Sequence, residues 1–306
     1  MKAIVTGANG FVGSNVVKKL TTEGIDVLAI DISFNSSRLE PSNKIELLEL
    51  SIADIDKLKE MIKDKEYELF YHFAWIGSAG PKRADENVQT QNVLWTVDCL
   101  KLAQEIGCKK FICAGSIMEY ESMANSYNQN TKPAINNIYS AAKSYAHQLC
   151  KPIANQLGIE LVWAYITNAY GIGENSPRFI NTTLRKIIKH EPLEFTSGMQ
   201  NYDFVYIDDI AKAFYLLGLY GKANKGYMIG SGDAKPLKEF VIEMCNCFGV
   251  EPVFGSIPFS GVNLGLDVYS IKEIQSDCGF KCDISFKEGI IRTKEWWEKD
   301  DNEHKI

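Results

Sequence analysis

Three groups of residues have the types and spacing to do chemistry. The first is Gly7-Ala8-Asn9-Gly10-Phe11-Val12-Gly13, which follows an apolar run and opens an amphipathic one. A helix start presents free backbone N–H groups and the positive end of the helix dipole, and glycines let the backbone approach a pyrophosphate. Placed between a strand and a helix, this spacing reads as a phosphate cradle, with Gly7, Asn9, Gly10, Phe11, Val12 and Gly13 as candidate dinucleotide contacts. The second is Asp31, at the end of the next apolar run. A carboxylate there accepts both adenosine-ribose hydroxyls and repels a 2′-phosphate, which favours NAD over NADP. Arg38, close behind in sequence, pulls towards a 2′-phosphate. The third is Tyr139-Ser140-Ala141-Ala142-Lys143. Four residues apart on a helix, the phenol and the ammonium share one face. An ammonium nearby stabilises a phenolate, so Tyr139 suits proton transfer with a sugar hydroxyl or carbonyl.

The elements that must position these groups alternate along the first half. Candidate strands are Lys2–Thr6, Asp26–Ile30, Ile45–Leu50, Leu69–His72, Lys110–Ala114 and Glu160–Ala164. Candidate helices lie between them at Phe11–Glu23, Ile55–Lys63, Asp85–Ile106 and Tyr139–Leu157. In the long third helix Val93, Leu94, Val97, Leu100, Leu102 and Ile106 recur in steps that mark a core stripe. Gly24, Gly107 and Gly158 fall where helices should stop. Strand-helix alternation of this kind predicts an α/β fold with a doubly wound parallel sheet. After Ala164 the chain becomes turn-rich, then mixes helices with short strands: Phe179–Lys189, Leu193–Phe195, Val205–Ile207, Asp209–Leu219, Gly226–Ile229 and Leu237–Phe248. We expect residues 1–165 to bind the dinucleotide, with some later segments returning to that unit, and 166–306 to form a smaller α/β substrate-binding lobe. Asp208 and Asp209 are expected as helix caps, His147 as a surface or interface residue, and Trp296 and Trp297 as anchors of a last helix.

Composition narrows the function classes. The chain has 306 residues, a net charge of −6 and 45% hydrophobic residues. The acidic balance argues against a nucleic-acid binder. No apolar run approaches the roughly 18 residues of a membrane helix, and the apolar start is too short for a secretory signal. The 8 cysteines include no CxxC pair and have no histidines at zinc spacing, so free buried thiols in a reducing cytoplasm are expected and no metal.

In company, these motifs carry a resemblance. The chain resembles the extended short-chain dehydrogenase/reductases of the NAD-dependent sugar epimerase/dehydratase type, over nearly its whole length and in family order. Thr6 to Gly13 is similar to TGxxGxxG, Asp31 to the ribose acid, Asp54-Ile55 to the pair at the adenine, and His72-Phe73-Ala74 to the strand end that faces the cofactor. Asn92, Asn168-Ala169-Tyr170-Gly171 and Phe204-Val205-Tyr206-Ile207-Asp208-Asp209 match further signatures. The resemblance implies a Rossmann fold and a catalytic set of Ser116, Tyr139 and Lys143. It also implies cofactor contacts at Asn35, Phe73, Ala74 and Ile166, and substrate contacts at Trp75, Glu119, Asn168, Arg178 and Tyr202 besides Ser116 and Tyr139. It further implies a nucleotide-sugar substrate and a homodimer through the two long helices.

Departures from the family pattern separate the possible reactions. Dehydratases carry an Asp-Glu pair directly after the catalytic Ser/Thr; here Ile117 and Met118 follow, which disfavours dehydration. Ser116-Ile117-Met118-Glu119-Tyr120 and the Trp75 that follows Ala74 resemble NDP-4-keto-6-deoxysugar reductases. Asp31 with Asn35, Ser36 and Arg38 resembles the ribose loop of UDP-glucose 4-epimerases. The reductase is the first expectation, the epimerase the alternative, and a non-catalytic binding protein is disfavoured by the intact triad. The usual phosphate-binding arginines are replaced by Tyr202 and, near Pro258-Phe259, by Ser260. That leaves Arg178, Arg185 and Lys186 as candidate cations.

Overall fold

The computed structural model describes residues 1–62, 66–127, 133, 135 and 137–303, with side chains to Lys299. The first half forms β1 (Lys2–Thr6), α1 (Phe11–Thr22), β2 (Asp26–Asp31), β3 (Ile45–Glu49), α2 (Ile55–Ile62), β4 (Leu69–His72), α3 (Glu86–Glu105), β5 (Lys110–Ser116), α4 (Met118–Tyr127), α5 (Asn137–Leu157) and β6 (Glu160–Ile166). The second half adds β7 (Asn168–Tyr170), α6 (Phe179–Ile188), β8 (Glu194–Phe195), β9 (Asn201–Tyr202), β10 (Phe204–Tyr206), α7 (Ile207–Tyr220), β11 (Lys225–Ile229), β12 (Lys235–Pro236), α8 (Leu237–Phe248), β13 (Val253–Phe254), α9 (Lys272–Cys278) and α10 (Phe286–Glu303).

Seven parallel strands form the central sheet in the order β11-β6-β5-β4-β1-β2-β3. The order reverses between β1 and β4, so the crevice at their C-terminal ends is the switch point of a doubly wound fold. Both faces of the sheet are covered, which is why β4 and most of β5 read as unbroken apolar runs. Strand alternation divides the core. Ala3 and Val5 join one cluster with Val16 and Val17 of α1 and Phe214 of α7. Ile4 joins the other with Val93 and Val97 of α3 and Ala146 of α5. The remaining strands pair in three small two-stranded sheets, β10-β7, β12-β9 and β13-β8.

Several boundaries moved for identifiable reasons. The expected helix end at Lys63 lies outside the described residues. Asp85 is the N-cap of α3, its carboxylate accepting the N–H groups of Asn87 and Val88. Asp208 and Asp209 lie inside the first turn of α7 and do not cap it. The Asp209 carboxylate instead accepts the N–H of Asp283 at 2.8 Å and of Ile284 at 3.1 Å, tethering the segment before α10. Helix α4 was not anticipated, because Glu119 is its one buried residue and no apolar stripe marks it. Trp297 is buried, as an anchor of α10 should be. All 8 cysteines are free thiols. No helix of the described residues is long and apolar enough to cross a membrane.

Beneath the switch point lies a buried polar chain. His72, the last residue of β4, is 1% exposed. Its Nδ1 is 2.9 Å from Thr6 Oγ1 and its Nε2 is 3.1 Å from Thr96 Oγ1. The Thr96 hydroxyl donates to the Asn92 carbonyl at 2.8 Å. Thr96 therefore accepts from Nε2–H, and the neutral ring accepts from Thr6 through Nδ1. Burial, aided by the charge of Lys143, pulls the imidazole down to about 3. A histidine held neutral must take up a proton to unfold at low pH, so its contribution is complete above its free value of about 6.5 and is lost as pH falls from there towards 3. We expect His72 to remove about 2 kcal/mol of stability between pH 8 and pH 5. Denaturant unfolding of wild type and His72→Gln across that range should give a flatter curve for the variant; parallel curves would contradict the assignment.

Candidate functional site

A cleft of about 500 Å³ opens at the C-terminal ends of the strands. Its lining includes Gly7, Gly10, Phe11, Val12, Gly13, Asp31, Phe73, Ala74, Trp75, Ser116, Tyr139, Lys143, Ile166 and Arg178, all expected from sequence. It also includes Ser51, Ile52, Ser78, Trp95, Gly115, Glu174 and Ser176, which were not.

The glycine end is a cradle in which side chains have no room. A Cβ on Gly7, whose φ is +68°, would lie 2.6 Å from the Ala74 nitrogen. A Cβ on Gly13 would lie 2.1 Å from the Gly7 carbonyl oxygen. The bare backbone is left open to a ligand, as a dinucleotide pyrophosphate at the start of α1 requires. Asp31 stands at the end of β2 beside it, accepting the Asn9 N–H at 2.8 Å through Oδ2 and the Ile32 N–H at 2.8 Å through Oδ1.

Asn9 and Arg38 support this end without lining it. The Asn9 side chain accepts the Arg38 N–H at 2.8 Å and donates to the Ser33 carbonyl at 3.0 Å. The Arg38 guanidinium donates to the Gly173 carbonyl, so it is engaged with the loop after β7. Asn35 is exposed and outside the lining. Asp54 and Ile55, expected at the adenine, do not line the cleft; Ser51 and Ile52 do. Strand β3 ends at Glu49, and the cleft meets the residues just after that end, whereas Asp54 is exposed and its backbone carbonyl accepts the Leu58 N–H at the start of α2.

Ser116, at the end of β5, and Tyr139 and Lys143, on α5, line the same cleft. The Lys143 ammonium donates to the Ala114 carbonyl at 2.8 Å and lies 3.7 Å from the centre of the Trp75 ring. The Trp75 ring meets Tyr139 edge to face at 6.1 Å. Its indole N–H donates to Gln89 Oε1 at 2.8 Å. Gln89 is fully buried and donates to the carbonyls of Ile76, Gly77 and Lys82, holding the loop after β4. The Arg83 guanidinium lies 4.5 Å from the Tyr139 ring centre, so a second cation attends the phenol. Gln89 was legible as a polar residue in register with Val93 and Val97; nothing in the sequence marks Arg83.

Three expected substrate contacts do not line the cleft. Glu119 is 1% exposed and turns under it, bound to the Ser116 N–H and the Trp163 indole. Asn168 donates to the Asp203 carbonyl at 3.0 Å, outside the lining. Tyr202 lines a second cavity of about 430 Å³, with Phe179, Lys186, Phe195, Gln200, Phe259 and Ser260 among its neighbours. The two cavities adjoin at the start of α6, where Arg178 faces the first and Phe179 the second. His147, expected at the surface, turns inward, stacking on Trp163 at 4.5 Å and bonding to the Tyr165 hydroxyl at 3.0 Å. Among the described residues, no cluster of metal-ligating side chains occurs.

Comparison with known proteins agrees with this geometry. The chain is 29% identical over 308 residues, covering 96% of this chain and 97% of the relative, to a protein of Methanocaldococcus jannaschii provisionally named a UDP-glucose 4-epimerase. It is 31% identical over 219 residues, 69% of this chain and 77% of the relative, to dTDP-6-deoxy-L-talose 4-dehydrogenase (NAD(+)) of Aggregatibacter actinomycetemcomitans. The structure superposes with a TM-score of 0.81 and 22% identity on UDP-N-acetylglucosamine 4-epimerase of Methanobrevibacter ruminantium M1, solved with UDP-N-acetylmuramic acid, covering 98% of each chain. The family model described as NAD dependent epimerase/dehydratase matches residues 3–230. With a glycine cradle, Asp31 and the Ser116, Tyr139 and Lys143 set in one cleft, the chain belongs to the NAD-dependent epimerase/dehydratase family, enzymes whose cofactor is NAD.

Proposed function

We propose that this enzyme reduces an NDP-4-keto-6-deoxyhexose at C4 with NADH. The observation that carries the reading is the single cleft with the glycine cradle and Asp31 at one end and Ser116, Tyr139 and Lys143 at the other. The stretch from Ser116 to Tyr120, the Trp75 contact with Tyr139 and the 31% identical dehydrogenase support the reductase. The alternative is a 4-epimerase that keeps its NAD, supported by the Asp31 loop and the Methanocaldococcus relative.

In this reading residues 1–165 hold the cofactor and 166–306 receive the nucleotide end of the substrate. The cradle of Gly7, Gly10 and Gly13 holds the pyrophosphate of NAD, Asp31 its adenosine ribose, and Ser51-Ile52 the adenine edge. When bound, NADH supplies the hydride that reduces a carbonyl carbon. The protein's part is to hold and protonate the oxygen. Ser116 donates a hydrogen bond to the C4 oxygen, Tyr139 transfers the proton to it, and the carbonyl becomes an alcohol. Lys143, fixed by Ala114 and Trp75, keeps positive charge beside the phenol. The base lies in the second cavity, where buried Gln200 Oε1 has no partner among the described residues and aromatic rings line the walls. Arg178 and Lys186 meet the diphosphate; Arg185 is stacked on Trp297 instead. The same reading includes a cytoplasmic homodimer through α3 and α5, whose Leu94 and Tyr145 are 49% and 51% exposed.

The direct assay supplies dTDP-4-keto-6-deoxyglucose and NADH. We expect one NADH consumed per sugar reduced, and no interconversion of UDP-glucose and UDP-galactose without added cofactor. Interconversion by protein that retains stoichiometric NAD through purification would establish the epimerase instead. In whichever assay turns over, Tyr139→Phe should lower kcat by roughly 10²–10⁴ while NAD binding and melting temperature stay near wild type. Retention of half the wild-type kcat would remove Tyr139 from proton transfer.

Cofactor choice provides a separate check. With Arg38 tied to Gly173, Asp31 governs the ribose pocket. Wild type should bind NAD more tightly than NADP, and Asp31→Ala should narrow the ratio by about tenfold or more. Tighter NADP binding by wild type would mean that Arg38 rules the pocket.

A further inference from the structure

Ser116 and Glu119 form a reciprocal pair of the capping-box kind at the start of α4. The Ser116 Oγ accepts the Met118 N–H at 3.2 Å. The Glu119 carboxylate reaches back and accepts the Ser116 N–H at 2.9 Å through Oε1, which also accepts the Trp163 indole N–H at 3.0 Å. On its other side, Oε2 lies 3.7 Å from His147 Nδ1. The pair is closely enclosed: a Cβ on Gly115 would lie 2.6 Å from Glu119 Oε1 and 2.2 Å from Trp163 Nε1.

This arrangement constrains the hydroxyl as well as the helix. A serine oxygen that accepts one hydrogen bond still has its own proton to give. No described residue accepts that proton, and Ser116 lines the cleft. A helix cap alone would require only a Ser and a Glu at an exposed start. Here the carboxylate is buried under the cleft and anchored to β6 through Trp163.

We propose that Glu119 is a positioning residue: by gripping the Ser116 backbone it fixes the turn so that the Ser116 hydroxyl donates into the cleft at the reacting oxygen. The inference rests on the reading of Ser116 given under the proposed function, and it holds for reduction and for epimerisation alike.

Two variants separate acceptor geometry from charge. Glu119→Gln keeps an oxygen at the same reach and loses the charge. Glu119→Asp keeps the charge and falls short of the Ser116 N–H. We expect Glu119→Gln to keep kcat within threefold of wild type, and Glu119→Asp to lose tenfold or more with KM within threefold. Amide hydrogen exchange of the peptide containing residues 114–120, measured without substrate, should quicken in Glu119→Asp and not in Glu119→Gln. In a Ser116→Ala background the Asp substitution should change kcat less than twofold. If Glu119→Asp loses the cooperative melting of wild type, Glu119→Met, which is near-isosteric and cannot accept, takes its place with the same expectation. A wild-type kcat in Glu119→Asp, equal losses in the two single variants, or a full loss persisting in the Ser116→Ala background would overturn the proposal. If Ser116→Ala itself retained wild-type kcat, the assignment of Ser116 would fall, a result distinct from any of these.

Discussion

The site depends on one steric constraint, the approach of the loop after β1 to the loop after β4. Gly7 passes Ala74 so closely that no side chain fits between them. That approach is possible because β1 and β4 are paired neighbours at the point where the strand order turns. The bare backbone that results lies at the start of α1, where unpaired N–H groups and the helix dipole favour a pyrophosphate. On the other side of the same contact, Ala74 leads to Trp75, which touches both Tyr139 and Lys143. The glycine cradle and the Trp75 that touches Tyr139 and Lys143 are therefore set by the same pair of strand ends.

Behind the cleft, buried polar groups fix what apolar packing alone would leave loose. Thr6, His72, Thr96 and Asn92 form a continuous hydrogen-bonded chain from β1 to α3. The Asn92 side chain then holds both polar groups of the Ile76 backbone, and Gln89 holds the next carbonyls. The loop that carries Trp75 is thus tied to α3 by satisfied buried bonds, which hold a single geometry because breaking one strands its partner away from water. Glu119 acts in the same manner on the opposite wall, joining α4 to β6.

The parts of the fold most legible in the sequence were strands buried on both faces and a helix with one apolar stripe. Lys2–Thr6, Leu69–His72 and Leu237–Phe248 have the same bounds in the expectation and in the structure. The glycine loop, Asp31, Ser116, Tyr139 and Lys143 were legible because each needs a particular residue type at a strand end or on a helix face. Helix α4 was hidden because it buries a carboxylate and no apolar stripe. Its Ser-x-x-Glu start was the available signal for a cap. Residue type points to Asp54-Ile55, but distance from the end of β3 brings Ser51 and Ile52 to the cleft. Tyr202 lines a second cavity, built from segments far apart in sequence, which no local pattern reports.

The proposed function places Ser116, Tyr139 and Lys143 around the sugar carbon that exchanges hydride with the cofactor held by the glycine cradle. The most direct measurement uses NADH carrying deuterium at the transferable position, dTDP-4-keto-6-deoxyglucose as acceptor, and NMR of the sugar product. One deuterium per product molecule, bound to C4, is expected. Deuterium at another carbon, or an unlabelled product, would contradict the proposed function.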